Sequence, residues 1–263
     1  MMDGAGFHDL RALLDWQVEL GADEAILDAP LDRYALAPPP EAAPSAAASG
    51  AAPAAVAPIP PPPEIDPAAE ARAMAARAPD LAALETALAA FPHCDLRKGA
   101  NTIFAQGEPT ARVMVIGEAP DYDENRAGHP FAGAAGTLFD AMFAAIGLAR
   151  DGTTAETALY LAPAFPWRPP ADRAPDPAEI ALALPFLERH VALVQPDVLV
   201  LMGALPCEAL LGRGGIRRMR GTWAEALGRP VLPMVHPRWL LERPEAKREA
   251  WADLLSLKRK LEG

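Results

Sequence analysis

Glu118, Asp123 and Glu124 crowd three carboxylates into a short stretch directly behind the apolar run Val113-Met114-Val115-Ile116. One carboxylate so placed can take a proton or orient a water molecule. The polar stretch Asp121 to Arg126 then leads into Gly128-His129-Pro130-Phe131-Ala132-Gly133-Ala134-Ala135-Gly136. Phe131 stands between a proline and a run of small residues, where its ring can act as a platform for a planar base. Gly117 and Gly133 permit backbone geometries closed to other residues and let a ligand approach the main chain. A further chemical candidate is His236, which directly follows the apolar run Val231-Leu232-Pro233-Met234-Val235. Arg217, Arg218 and Arg220 lie shortly upstream of it. Arginines in such a group either hold backbone phosphates or form ordinary surface ion pairs.

These residues need strands to deliver them. The apolar pattern predicts strands over 112–116, 158–162, 197–202 and 231–235. Helical patterns fall over 135–148, 177–194, 204–211 and 245–261. Alternation of this kind implies an α/β fold, a three-layer sandwich around a mostly parallel sheet of about four strands. Ligand sites in such sheets lie beyond the carboxyl ends of the strands, where both Glu118 and His236 stand.

Upstream, residues 7–20 read as an amphipathic helix, and 35–67 are almost wholly alanine and proline, including Pro60-Pro61-Pro62-Pro63. Proline blocks both helix and sheet ladder, so 35–67 reads as a semi-rigid linker. The expected organisation is an N-terminal helical segment over 1–34, this linker, and an α/β domain over 68–263. An alanine-rich helical pattern runs from Pro67 to Ala90 and is expected to break at Pro79.

The chain has 263 residues and a net charge of −11. Residues 1–80 hold thirteen acids and four bases, whereas 213–260 hold twelve bases and five acids. A locally basic surface can bind phosphate even on an acidic chain, because screening makes near charges count most. Two cysteines, Cys94 and Cys207, are too few for a disulfide framework and suit a reducing compartment. No apolar stretch reaches transmembrane length, and the start lacks a secretion pattern, so the expected location is the cytoplasm, away from membranes.

Gly117-Glu118-Ala119-Pro120, Glu124 and the stretch from Gly128 to Gly136 together resemble the first motif of type-4 uracil-DNA glycosylases. That family reads Gly-Glu-Ala-Pro-Gly, Glu-Asp and Gly-x-Pro-Phe-Val-Gly-x-x-Gly. The similarity runs from about Ala90 to Leu261. It implies the uracil-DNA glycosylase fold and hydrolysis of the bond between sugar and base in DNA carrying uracil or another deaminated base. Such enzymes flip the damaged nucleotide out of the duplex. By resemblance Glu124 activates or orients the water and Phe131 stacks on the base. The backbone of Gly117, Glu118 and Ala119 contacts the base, with Glu118 shaping that loop. His236-Pro237 is similar to the family's His-Pro-Ser, which makes His236 the group that stabilises the leaving base. Arg217, Arg218 and Arg220 match a loop near the DNA. Arg238 stands in place of the serine, where it either adds a phosphate contact or disturbs the loop. A monomer acting on DNA is expected.

Three further positions depart from the pattern at or beside the pocket. Asp121 replaces a motif glycine. Pro163 and Asp172 stand where the family has asparagines, one of which reads the edge of uracil. Proline has no side-chain donor or acceptor, and a carboxylate accepts without donating. With Pro163 at the pocket floor, weak excision and poor selectivity are expected. Asn101 and Asn125 are the only asparagines in the chain. The family's 4Fe-4S cluster needs four thiolates. Its positions fall on Phe91, Cys94, Trp167 and Leu184, so no cluster is expected, and apolar packing by Phe91, Trp167 and Leu184 takes over its bracing role. The alternative reading is a catalytically degenerate relative that binds DNA or a protein partner. A third is an enzyme for another deaminated base.

Overall fold

A computed structural model describes residues 66–263. The helix expected over 7–20, and all of the 35–67 linker except its last two residues, lie outside the described residues. Two short helices open the described chain, α1 (Pro67–Arg77) and α2 (Leu81–Ala90). Asp66 and Asp80 cap their first turns through side-chain oxygens. The expected break at Pro79 is present. Ala78 is extended, as a residue before proline must be. Its carbonyl accepts both the Nε and Nη2 groups of Arg189, at 3.1 and 2.7 Å.

The sheet has six strands in the order β1-β3-β2-β4-β6-β5. They are β1 (Gln106–Gly107), β2 (Val113–Gly117), β3 (Leu159–Pro163), β4 (Val198–Met202), β5 (Ala224–Ala226) and β6 (Arg229–Met234). The four central strands are parallel, as expected, and β1 and β5 add short antiparallel edges that the apolar pattern did not announce. Every residue of β2, β3 and β4 is buried, as a parallel sheet covered on both faces requires.

The connecting helices are α3 (Tyr122–Ala127), α4 (Gly133–Ala144), α5 (Pro177–Val194), α6 (Ala204–Leu211), α7 (Ile216–Met219), α8 (Pro237–Glu242) and α9 (Lys247–Glu262). On one face Val113, Val115, Leu161 and Val200 pack against Phe139, Phe143, Leu254 and Leu257 of α4 and α9. On the other, Met114, Ile116, Tyr160 and Leu201 meet Leu187, Val191 and Cys207 of α5 and α6. A separate cluster joins α1, α2 and α5 through Ala71, Ala75, Leu84, Leu88, Ala183 and Phe186, with Phe91 beside them. Among the described residues no helix is long and apolar enough to cross a membrane.

Candidate active site

Strand β2 lies between β3 and β4, and the chain visits β3 before returning past β2 to β4. That reversal opens a crevice at the carboxyl ends of β2 and β4. Glu118 spans it, accepting the Ala204 N–H at 2.9 Å. Gly203, at φ 115°, leaves room for this carboxylate, which any side chain there would strike.

The three carboxylates have separate fates. Asp123 is exposed, Glu118 is half-buried and Glu124 is buried. The stretch expected as a loop forms the short helix α3, closed by a capping box: Asp121 accepts the Glu124 N–H and Glu124 Oε2 accepts the Asp121 N–H, both at 2.9 Å. The other oxygen, Glu124 Oε1, accepts the Phe131 N–H at 2.6 Å. Glu124 therefore braces the main chain on both sides and keeps one lone pair free on each oxygen. Burial pushes its carboxyl up to about 7, against the two backbone hydrogen bonds that favour the carboxylate.

Phe131 adopts φ 52°, a left-handed conformation costly for a side chain of this size. Glu124 holds its N–H, and Arg150 Nη2 donates to its carbonyl at 2.9 Å. Arg150 also grips Asp140 and Gln106, a bracing role that sequence reasoning missed. The Phe131 ring stacks on Phe139 at 4.3 Å between centroids and lies near-parallel to His236 at 5.5 Å. It also rests on Gly117, where a Cβ would stand 2.9 Å from Cζ. Phe131 is 2% exposed, so the ring expected to stack on a base is covered here. In this arrangement the ring is part of the core.

His236 caps α8, and its Nδ1 accepts the Arg238 N–H at 3.3 Å. That acceptor role assigns the proton of the neutral ring to Nε2. Burial holds His236 down, to about 4, against the pull of Glu118 and Asp121 toward the charged form. At neutral pH the ring is thus an uncharged donor.

Two grooves flank this centre, and Glu124 and Phe131 line neither of them. One, of about 320 Å³, is lined by Glu118, Ala119, Asp121, Asp172, Arg173 and Arg238 among others. The second, of about 300 Å³, holds His236 with Glu118, Arg217, Arg238 and Trp239. Asp172 is exposed and paired with Arg168 Nε at 2.7 Å, and the Arg168 guanidinium lies over the exposed Tyr122 ring. Pro163 lines neither groove. It ends β3 in register with Gly117 and borders a small cavity with Ile103, Phe104, Phe186 and His190. The expectation that it floors the pocket is corrected accordingly. Asn101 and Asn125 bond to each other, at 2.7 and 2.8 Å, and line neither groove.

The arginines divide. Arg217 and Arg218 are exposed and make no ion pair among the described residues. Arg238 bonds Asp121. Arg220 is committed to α9, with Nε on Asp253 Oδ2 at 2.9 Å, Nη1 on Glu249 Oε2 at 3.2 Å and Nη2 on both the Glu249 carbonyl and Asp253 Oδ1. A guanidinium so engaged has no fork left for phosphate, which corrects its expected role in DNA contact.

A four-thiolate cluster does not fit this chain. At its four expected positions only Cys94 carries sulfur, and burial raises that thiol's pKa and keeps it protonated. Cys207 sits in the core between α6 and the sheet, its thiol pushed up to about 12 by burial. Phe91 and Trp167 are fully buried beside Cys94, and Trp167 Nε1 donates to Thr102 at 3.0 Å. Leu184 is only half-buried and stands outside that packing, so Phe165 and Phe186 fill the space expected of it.

Comparison with known proteins agrees with this architecture. The uracil DNA glycosylase superfamily matches residues 104–255. A type-4 uracil-DNA glycosylase of Archaeoglobus fulgidus is 31% identical over 172 residues, covering 61% of this chain and 82% of that protein. One from Thermotoga maritima is 31% identical over 144 residues, covering 54% and 72%. One from Sulfurisphaera tokodaii is 30% identical over 161 residues, covering 56% and 69%. With the parallel sheet, and with Glu118 and His236 on one crevice, the chain belongs to the uracil-DNA glycosylase superfamily and, within it, to the type-4 family.

Proposed function

We propose that this protein binds DNA and hydrolyses the N-glycosidic bond of a deaminated base, uracil included, slowly and with little selectivity. The observation that carries the reading is His236, a buried neutral imidazole whose Nε2–H has no partner among the described residues and which borders a groove beside Glu118. As the bond between C1′ and the base nitrogen breaks, its electron pair passes to the base. The His236 Nε2–H donates to the base oxygen that gains this charge, a preorganised contact that needs no proton transfer. A water molecule attacks the sugar carbon from the other side. The free lone pairs of Glu124 orient that water, and a carboxyl near 7 can accept its proton at neutral pH. Arg217, Arg218 and Arg238 bind backbone phosphates, which position the strand without reading it. Low selectivity follows because no asparagine lines either groove, and shape alone separates similar bases by only about ten- to a hundredfold.

A second reading, DNA binding without chemistry, is favoured by one observation, the closure of Phe131 into the core. Release of free base from oligonucleotides carrying uracil, hypoxanthine or xanthine separates the two. The wild type is expected to release base above the background of Glu124→Ala and His236→Ala. Equal background from all three proteins removes the enzymatic reading.

A further inference from the structure

Two of the departures from the family motif bind each other. Asp121 replaces a glycine and Arg238 replaces a serine, and Arg238 Nη2 donates to Asp121 Oδ2 across the crevice. The contact joins the N-cap of α3, after β2, to the first turn of α8, after β6, and β4 lies between those two strands. Arg238 lines both grooves, so the pair stands as a bar between them.

Its two ends are held differently. Asp121 is anchored: Oδ1 caps α3 and its N–H is bound by Glu124. Its side chain is 19% exposed. The Arg238 side chain is 42% exposed and makes no other hydrogen bond among the described residues. Arg217 borders the same groove, also without an ion pair among the described residues. A phosphate arriving beside Arg217 meets a second guanidinium held by a single carboxylate. Phosphate binds the arginine fork at least as well as a carboxylate does.

We propose that Asp121 and Arg238 form a latch. Asp121 holds Arg238 across the crevice in the free protein, and a backbone phosphate of bound DNA takes the guanidinium over and joins the two grooves. The inference rests on the DNA-binding reading above. Asp121 then competes with DNA for Arg238, a restraint that a glycine at 121 would lack.

The test is a binding cycle with a fluorescent single-stranded oligonucleotide and the full chain, over a series of salt concentrations. Asp121→Asn keeps a capping oxygen and removes the competing charge. It is expected to tighten binding about two- to fivefold, the size of an exposed ion pair. Arg238→Ser is expected to flatten the plot of log affinity against log salt by about 0.7, one phosphate contact on a single strand. In the Arg238→Ser background, Asp121→Asn is expected to gain much less. Arg238→Gln, which keeps side-chain bulk, serves as a second variant, and thermal melting checks that each protein is folded. Equal tightening in both backgrounds, or a slope unmoved by Arg238→Ser and Arg238→Gln, overturns the latch alone. Salt-independent binding, or none, in every protein overturns the DNA-binding reading and the latch with it.

Discussion

Phe91, Cys94 and Trp167 stand where the resemblance puts cluster ligands, and Pro163 and Asp172 stand where it puts asparagines, one of which reads the base. At the first place the chain has rebuilt what it lacks. Phe91 and Trp167 are fully buried against Phe165 and Phe186, and the one indole N–H is satisfied by Thr102. At the second place nothing stands in. Pro163 borders a small cavity away from the grooves, and Asp172 is exposed and tied to Arg168. The difference follows from what each task requires. A cluster that braces a fold can be replaced by any side chains that fill the volume and leave no polar atom stranded. A base edge is read only by donors and acceptors at set positions, and no packing substitutes for them.

The largest effect should come from the rebuilt region. Trp167→Ala empties the centre of its cluster and is expected to cost about 3–5 kcal/mol of stability, read as a fall in the urea midpoint. Trp167→Phe should keep most of that stability, losing chiefly the bond to Thr102. If Trp167→Ala unfolds at nearly the wild-type midpoint, packing is not what braces this end of the molecule.

On the catalytic side, His236→Ala is expected to lower base release about a hundred- to a thousandfold while leaving DNA affinity within a few fold. Glu124 supplies a pH test on the same side. In the proposed mechanism its carboxylate is the working form, so release should rise with pH up to about 7 and level off above it. Stability runs the other way. The folded carboxyl titrates near 7 rather than at its ordinary 4.5, so the folded state binds the extra proton between those values. Its contribution is present at low pH and lost as pH rises through 7, by about 3 kcal/mol. Glu124→Gln removes that dependence. Its stability relative to wild type should therefore improve as pH is raised from 4.5 to 8, in paired urea titrations.

The smallest effect should be at Asp172. Asp172→Ala breaks one half-exposed pair with Arg168 and is expected to change stability by less than about 1 kcal/mol. A much larger loss would mean that this corner, too, carries structure.

The four parallel strands and α5 and α6 were legible because each is a bounded apolar run or a periodic helix of ordinary length. The edge strands β1 and β5 were not, being two and three residues long with little burial. Helix α3 carries its own signal, the Asp121-x-x-Glu124 spacing of a capping box, which by itself assigns both side chains to the backbone. The pairs Arg220–Asp253 and Asp121–Arg238 join residues 33 and 117 positions apart. Only the folded chain brings them together, so an arginine-rich loop could not disclose which guanidinium was already taken.

Slow, unselective base release that depends on His236 is tested by single-turnover assays on single-stranded DNA carrying uracil, with hypoxanthine and xanthine alongside, using wild type and His236→Ala. Slow release of uracil by the wild type is expected, with a spread among the three bases of no more than about a hundredfold and a drop of at least about a hundredfold in the variant. Fast and strongly selective uracil release would contradict the proposed function, since some group outside the two grooves would then be reading the base. Release unchanged in His236→Ala would contradict it at its centre.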